Sequence, residues 1–141
     1  MTDVTTTTMT TTTATVTVRV TDGPLRRAEW RRPPDGAGAV LCFEGIVRPE
    51  ENGRPLAALD YEAYQPMAEN LLRRLAEEMS ARHGLIEVTV EHSRGRVAAG
   101  ECSFRLTVAS RHRPEALRAV EQFVDRMKRD VPIWKTPVFA E

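Results

Sequence analysis

The order of apolar and polar positions predicts five strands and two helices. Thr15-Val16-Thr17-Val18-Arg19-Val20 alternates strictly and reads as a half-buried strand. Asp22-Gly23-Pro24 is a turn signal, Leu25 to Trp30 suits a short helical turn, and Arg31 to Gly36 reads as a loop. Ala37 to Val47 reads as a buried strand interrupted by Gly45, a residue that often marks a bulge inside a strand. Asn52-Gly53 is a strong hairpin signal, and Leu56 to Tyr64 is the returning strand, so the two segments are expected to pair antiparallel. Ile86 to His92 alternates again, with His92 on the apolar parity; Ser93 to Gly100 then turns the chain. Cys102 to Ser110 alternates as well, with Cys102, Phe104, Leu106 and Val108 facing one way.

Two stretches change to helical spacing. The first opens at Gln65-Pro66, carries Met67, Leu71, Leu72, Leu75 and Met79 as its stripe, and has Gly84 as a C-cap candidate. The second opens at His112-Arg113-Pro114 and repeats Leu117, Val120, Val124 and Met127. Val131 precedes Pro132, and proline sterics move such a residue out of helical geometry. The helix is therefore expected to end near Arg129 or Asp130, with Pro132-Ile133-Trp134 leaving it as an extended arm. Strand, strand, strand, helix, strand, strand, helix and arm make an α+β pattern, helices packed on a mainly antiparallel sheet. Residues 15–141 form one domain. Residues 1–14, nearly all Thr, read as a disordered tail with too little apolar content to fold alone.

Composition narrows the function by exclusion. Basic and acidic residues balance at 20 each, so bulk charge gives no reason to expect nucleic acid or an acidic membrane surface. No apolar run approaches the roughly 20 residues needed to span a bilayer. No signal pattern opens the chain, and a cytoplasmic location is expected. Cys42 and Cys102 lie in apolar stretches and read as buried reduced thiols. His83, His92 and His112 are scattered, no metal motif or nucleotide fingerprint is present, and no cofactor is signalled. Glu50-Glu51 and Glu77-Glu78 read as solvated charge.

What remains is a set of cations at element ends. Arg48 ends a strand, His112 and Arg113 end another just before a helix, and Lys128 and Lys135 flank the break between helix and arm. Arginine and a helix N-terminus suit phosphate or carboxylate. A lysine held against apolar surface can serve as acid, base or nucleophile. Taken singly, each of these residues is as well explained by ordinary surface solvation. Together they suggest an anion site.

At these residues the sequence resembles the MoaE family, the large, catalytic subunit of molybdopterin synthase. Phe43-Glu44-Gly45-Ile46-Val47-Arg48 is similar to its F-x-G-x-V-R motif. Asn52-Gly53 with Leu59-Asp60-Tyr61-Glu62-Ala63-Tyr64 and Met67-Ala68 is similar to its N-G and L-x-Y-E-A-Y-x-x-M-A block. His92, Gly95, Gly100 and Glu101, then His112-Arg113 with Ala116, then Lys128 with Pro132-Ile133-Trp134-Lys135, follow in the family's order.

The resemblance implies an α/β-hammerhead type of α+β fold and a homodimer at the centre of a heterotetramer. It implies a small ubiquitin-like (MoaD-like) sulfur-carrier partner whose C-terminal Gly-Gly enters the site as a thiocarboxylate. The substrate would be cyclic pyranopterin monophosphate, which receives sulfur to form the molybdopterin dithiolene. Lys128 and Lys135 would be the catalytic amines. Arg48, His112 and Arg113 would bind the pterin phosphate, the last two in their own or the neighbouring protomer's site. Trp134 would either orient the Lys135 amine or pack as a buried residue, and Glu62 and Tyr64 would support the sheet or the dimer. Two departures stand out. Ser93-Arg94 replaces the usual Arg-Ile of H-R-I-G, and Thr136 to Glu141 replaces a tail with a Lys-Glu pair, a glycine and a tryptophan. The second departure keeps an alternative open: a C-terminally shortened, non-catalytic paralogue that only grips the carrier tail.

Overall fold

The computed structural model describes residues 14–141. The expected disordered tail over 1–14 therefore lies, but for Ala14, outside the described residues.

The main leaf of the sheet has the order β2 (Ala39–Ile46), β6 (Cys102–Ser110), β5 (Glu87–Ala98) and β1 (Thr15–Asp22). β2, β6 and β5 run antiparallel to one another, and β1 joins β5 in parallel. A second leaf is built on the far half of β5. It contains β4 (Arg54–Ala63), β7 (Ile133–Phe139) and the short β3 (Glu50–Glu51). Two helices, α1 (Met67–His83) and α2 (Arg113–Asp130), complete an α+β fold on a mainly antiparallel sheet.

β5 is longer than its alternation predicts. Ser93 to Ala98 continues as strand rather than turning, because Gly95, at φ +83, lets the chain leave the main leaf and pair with β4 from Tyr61 to Ala58. The Asn52-Gly53 turn forms as expected. Both residues have positive φ (53 and 78), the geometry of a hairpin turn whose twist matches its strands. It joins β3 to β4, however, and β2 does not pair with β4. The backbone of Val47 is instead clamped to the β5–β6 turn: its N–H donates to Glu101 O, and its carbonyl accepts from Gly100 N.

Three other expectations are corrected. Leu25 to Trp30 is irregular rather than helical, because its polar backbone is used by the sheet: Leu25 N–H donates to Cys102 O, and Arg26 O accepts from Arg105. β2 is an edge strand, not a buried one, and Val40, Phe43 and Ile46 are largely exposed. Cys42, on that edge, is accordingly exposed, and Cys102 is half-buried.

β6 is paired on both edges, by β2 and β5, and α2 packs against it. The main core joins Leu72, Leu75 and Met79 of α1 to Val88, Val90, Leu106 and Val108 of the sheet. The buried stripe of α2 is Ala116, Ala119, Phe123 and Met127, one position round from the stripe its Leu and Val spacing suggests. Leu117 is exposed, while Phe123 is buried with its ring stacked on Phe104 at 6.3 Å. The small alanines let α2 lie close to β6, and the large ring then fills the remaining space. α1 ends at Gly84 in the left-handed conformation, as its sequence suggests. A second, smaller core of Val47, Leu56, Leu59 and Val97 supports the other leaf.

Candidate active site

The seam between the two cores opens into a cavity of about 570 Å³. Each of its polar groups is placed by a local feature. α2 stops at Asp130 and Val131 is extended (φ −92, ψ 130), so Lys128 stands on the last helical turn, where a cation also suits the helix dipole. Beyond Pro132 the arm becomes β7, which pairs with β4 and sets Lys135 directly opposite Tyr61. The register shift after Gly45 ends β2 and turns the chain, burying Val47 and leaving Arg48 exposed at the cavity. Lys128, Lys135 and Arg48 thus line one cavity, although they come from three elements.

Alternation explains which side chains of the second leaf face it. Leu59 and Tyr61 of β4 and Ile133 and Lys135 of β7 line the cavity. Their neighbours in the ladder point away: Asp60 takes a bidentate bond from Arg96, and Trp134 is 57% exposed opposite Glu62. Trp134 is therefore neither a buried packing residue nor a wall beside the Lys135 amine. Tyr64 is exposed beyond the end of β4. Past Lys135, Thr136 to Phe139 continue β7 along β4, and the Arg54 guanidinium lies 3.8 Å over the Phe139 ring.

His112 and Arg113 are not among the lining residues. They are exposed at the start of α2, whereas Lys128 is in its last turn, roughly 22 Å away at 1.5 Å per residue. Arg94 pairs with Asp22.

Several further groups line the cavity that the sequence does not single out as site residues. Glu51 is its one lining carboxylate among the described residues. Tyr61 Oη lies 2.9 Å from Ser103 Oγ, and the Tyr61 ring stands edge-on to His92 at 5.3 Å. Burial holds the Tyr61 phenol above its ordinary pKa, against a lowering by the Ser103 bond, so it stays protonated. His92 is 6% exposed; its Nδ1 donates to Ser93 O at 2.7 Å, which fixes the neutral tautomer with a lone pair on Nε2. Burial lowers the His92 pKa below its ordinary 6.5, with the Ser93 bond opposing.

That shift has a sign. Below pH 6.5 the unfolded chain takes up a proton that folded His92 refuses, so stability falls with pH. Denaturant titrations from pH 6.5 downward should show a loss of up to about 1.4 kcal/mol per pH unit from this group. His92→Gln should lack that component. An unchanged pH slope in the variant would mean that His92 is free to ionise in the fold.

Three cations and one carboxylate around an apolar floor of Phe43, Phe104 and Met127 define a site for an anionic ligand with a flat or apolar part. The fold that carries it is of the α+β class. The chain is a member of the MoaE protein family, whose sequence model matches residues 20–130. The molybdopterin synthase catalytic subunit of Thermoplasma volcanium is 39% identical over 115 residues, covering 82% of this chain and 83% of that protein. The bovine (Bos taurus) molybdopterin synthase catalytic subunit is 38% identical over 104 residues, 74% of this chain but 55% of that protein. The chain thus spans about half the length of several curated relatives that it matches. Molybdopterin synthase from Staphylococcus aureus has the same fold, with a TM-score of 0.78 at 32% identity over 86% of this chain and 90% of that one.

Proposed function

We propose that the chain is the catalytic subunit of a molybdopterin synthase, moving sulfur from the thiocarboxylate end of a small ubiquitin-like carrier onto cyclic pyranopterin monophosphate. The observation that carries this reading is the meeting of Lys128, Lys135 and Arg48 in one cavity. The carrier's sulfur bonds to a side-chain carbon of the pterin as a C–O bond at that carbon breaks and its oxygen leaves protonated, and the carrier's carbonyl carbon must then be released to water. The C–S bond breaks, a carboxylate is left on the carrier, and a thiol stays on the pterin. The tetrahedral intermediate carries an oxyanion, which an ammonium stabilises, and the departing sulfur needs a proton. Two lysines supply both needs. Arg48 suits the phosphate, to which a guanidinium donates two parallel bonds.

His112 and Arg113 enter through a second protomer. β2 has a free edge with Val40, Phe43 and Ile46 exposed, a surface suited to a two-fold, self-complementary contact. β2 starts opposite Ser110, beside His112, and ends beside the cavity. Two copies of β2 laid antiparallel about a two-fold axis would put the start of each against the end of the other. The strand's span of roughly 24 Å, at about 3.4 Å per residue, matches the gap between His112 and Lys128. The neighbouring protomer's His112 and Arg113 then complete the phosphate site. The assembly would be a homodimer carrying one carrier subunit on each protomer, a heterotetramer.

The purified chain, given thiocarboxylated carrier and cyclic pyranopterin monophosphate, should yield dithiolene product. Carrier binding without product would instead indicate a non-catalytic protein that holds the carrier tail.

A further inference from the structure

We propose that Tyr61 is the positioning residue for Lys135, and that its bond to Ser103 holds it in that role. The proposal rests on the sulfur-transfer reading above. Lysine has a long flexible stem, and neither Lys128 nor Lys135 is tied by a carboxylate among the described residues. Something other than an ion pair must limit where the amine goes. Sequence proximity suggests Trp134, but that ring lies on the opposite face of β7.

The ladder supplies Tyr61 instead. Directly opposed residues of an antiparallel pair project to the same face with Cβ atoms about 4.5–5.5 Å apart. Tyr61 and Lys135 are such a pair, and both line the cavity. The tyrosine is itself held on two sides. Its hydroxyl meets that of Ser103, a 5% exposed residue on β6, at 2.9 Å. Its ring edge packs on His92, which is fixed by its bond to Ser93 O and lies 5.7 Å from Phe104. A rigid, uncharged wall beside an amine restricts its rotamers without capturing its charge. The amine stays available for the carrier's carbonyl, where a carboxylate in the same place would bind it.

The test compares Tyr61→Phe, Ser103→Ala, the two together, and Lys135→Ala. Each is assayed with thiocarboxylated carrier and cyclic pyranopterin monophosphate. Tyr61→Phe and Ser103→Ala should each lower kcat by about tenfold, with KM for the carrier nearly unchanged, as a small misplacement of a reacting group does. The double variant should be no worse than the stronger single one, since the two hydroxyls act as a unit. Acetylation of Lys135, followed by peptide mass spectrometry with Lys128 as internal reference, should speed up in Tyr61→Phe as the amine is freed. Native kcat together with native Lys135 labelling in both single variants would overturn the proposal. Full activity in Lys135→Ala would instead sink the sulfur-transfer reading, while the labelling would still report whether Tyr61 restrains the Lys135 amine.

Discussion

Lys135→Ala and Lys128→Ala are each expected to lower dithiolene formation by about 10²–10⁴-fold, the range that a lost proton-transfer or oxyanion-stabilising group costs. Both side chains are exposed, and neither belongs to a core cluster. The thermal midpoint should therefore hardly move. Carrier affinity should also persist, because the apolar floor remains to meet the tail. The loss should appear in kcat, with carrier KM close to native, as for an interaction made mainly in the transition state. Product assays beside a melting curve check both halves. Full activity in both variants would remove the lysines from the chemistry.

Phe123→Ala is expected to have the largest effect on stability, about 3–5 kcal/mol, as for other fully buried aromatic truncations. Phe123 is 1% exposed, and its ring stacks on Phe104, whose own ring meets Phe43 and His92. On the N-terminal side its buried neighbours on α2 are Ala116 and Ala119, too short to refill the void, which leaves Met127 as the one long side chain of that stripe beside it. The cavity floor should loosen as well, since Phe104 lines it. Urea unfolding at pH 7 measures the loss. A change below about 1 kcal/mol would mean that the packing around this ring collapses easily.

The legible part of the fold was local. The Asn52-Gly53 turn, the Gly84 cap and the Val131-Pro132 helix stop each follow from backbone sterics in a few residues, and each forms where the sequence places it. What misled was anything decided across the sheet. The apolar run in β2 reads as buried, but its pairing only with β6 leaves it at the edge. Leu25 to Trp30 suits a helical turn, but bonds to Cys102 and Arg105 tie its backbone to the sheet instead. Arg105 sits 5% exposed between Glu44 and Glu91, and those partners lie 61 and 14 residues away.

The candidate site follows the same division. Lys128 and Arg48 are legible because each stands at an element end, which sequence marks well, and Lys135 because it closely follows the Val131-Pro132 break, although it lies inside β7. Glu51 reads as solvated charge, yet it lines the cavity, where the two-residue β3 places it. The Tyr61–Ser103 pair joins residues 42 apart and depends on β4 and β6 approaching across the seam, which no local pattern encodes.

The most direct test of the central claim is the structure of the chain with a carrier bound by its C-terminal Gly-Gly. The terminal carbonyl carbon is predicted to lie inside the cavity between the Lys128 and Lys135 amines, with Tyr61 alongside. A carrier tail that docks elsewhere, or that leaves either amine outside the groove, would contradict it.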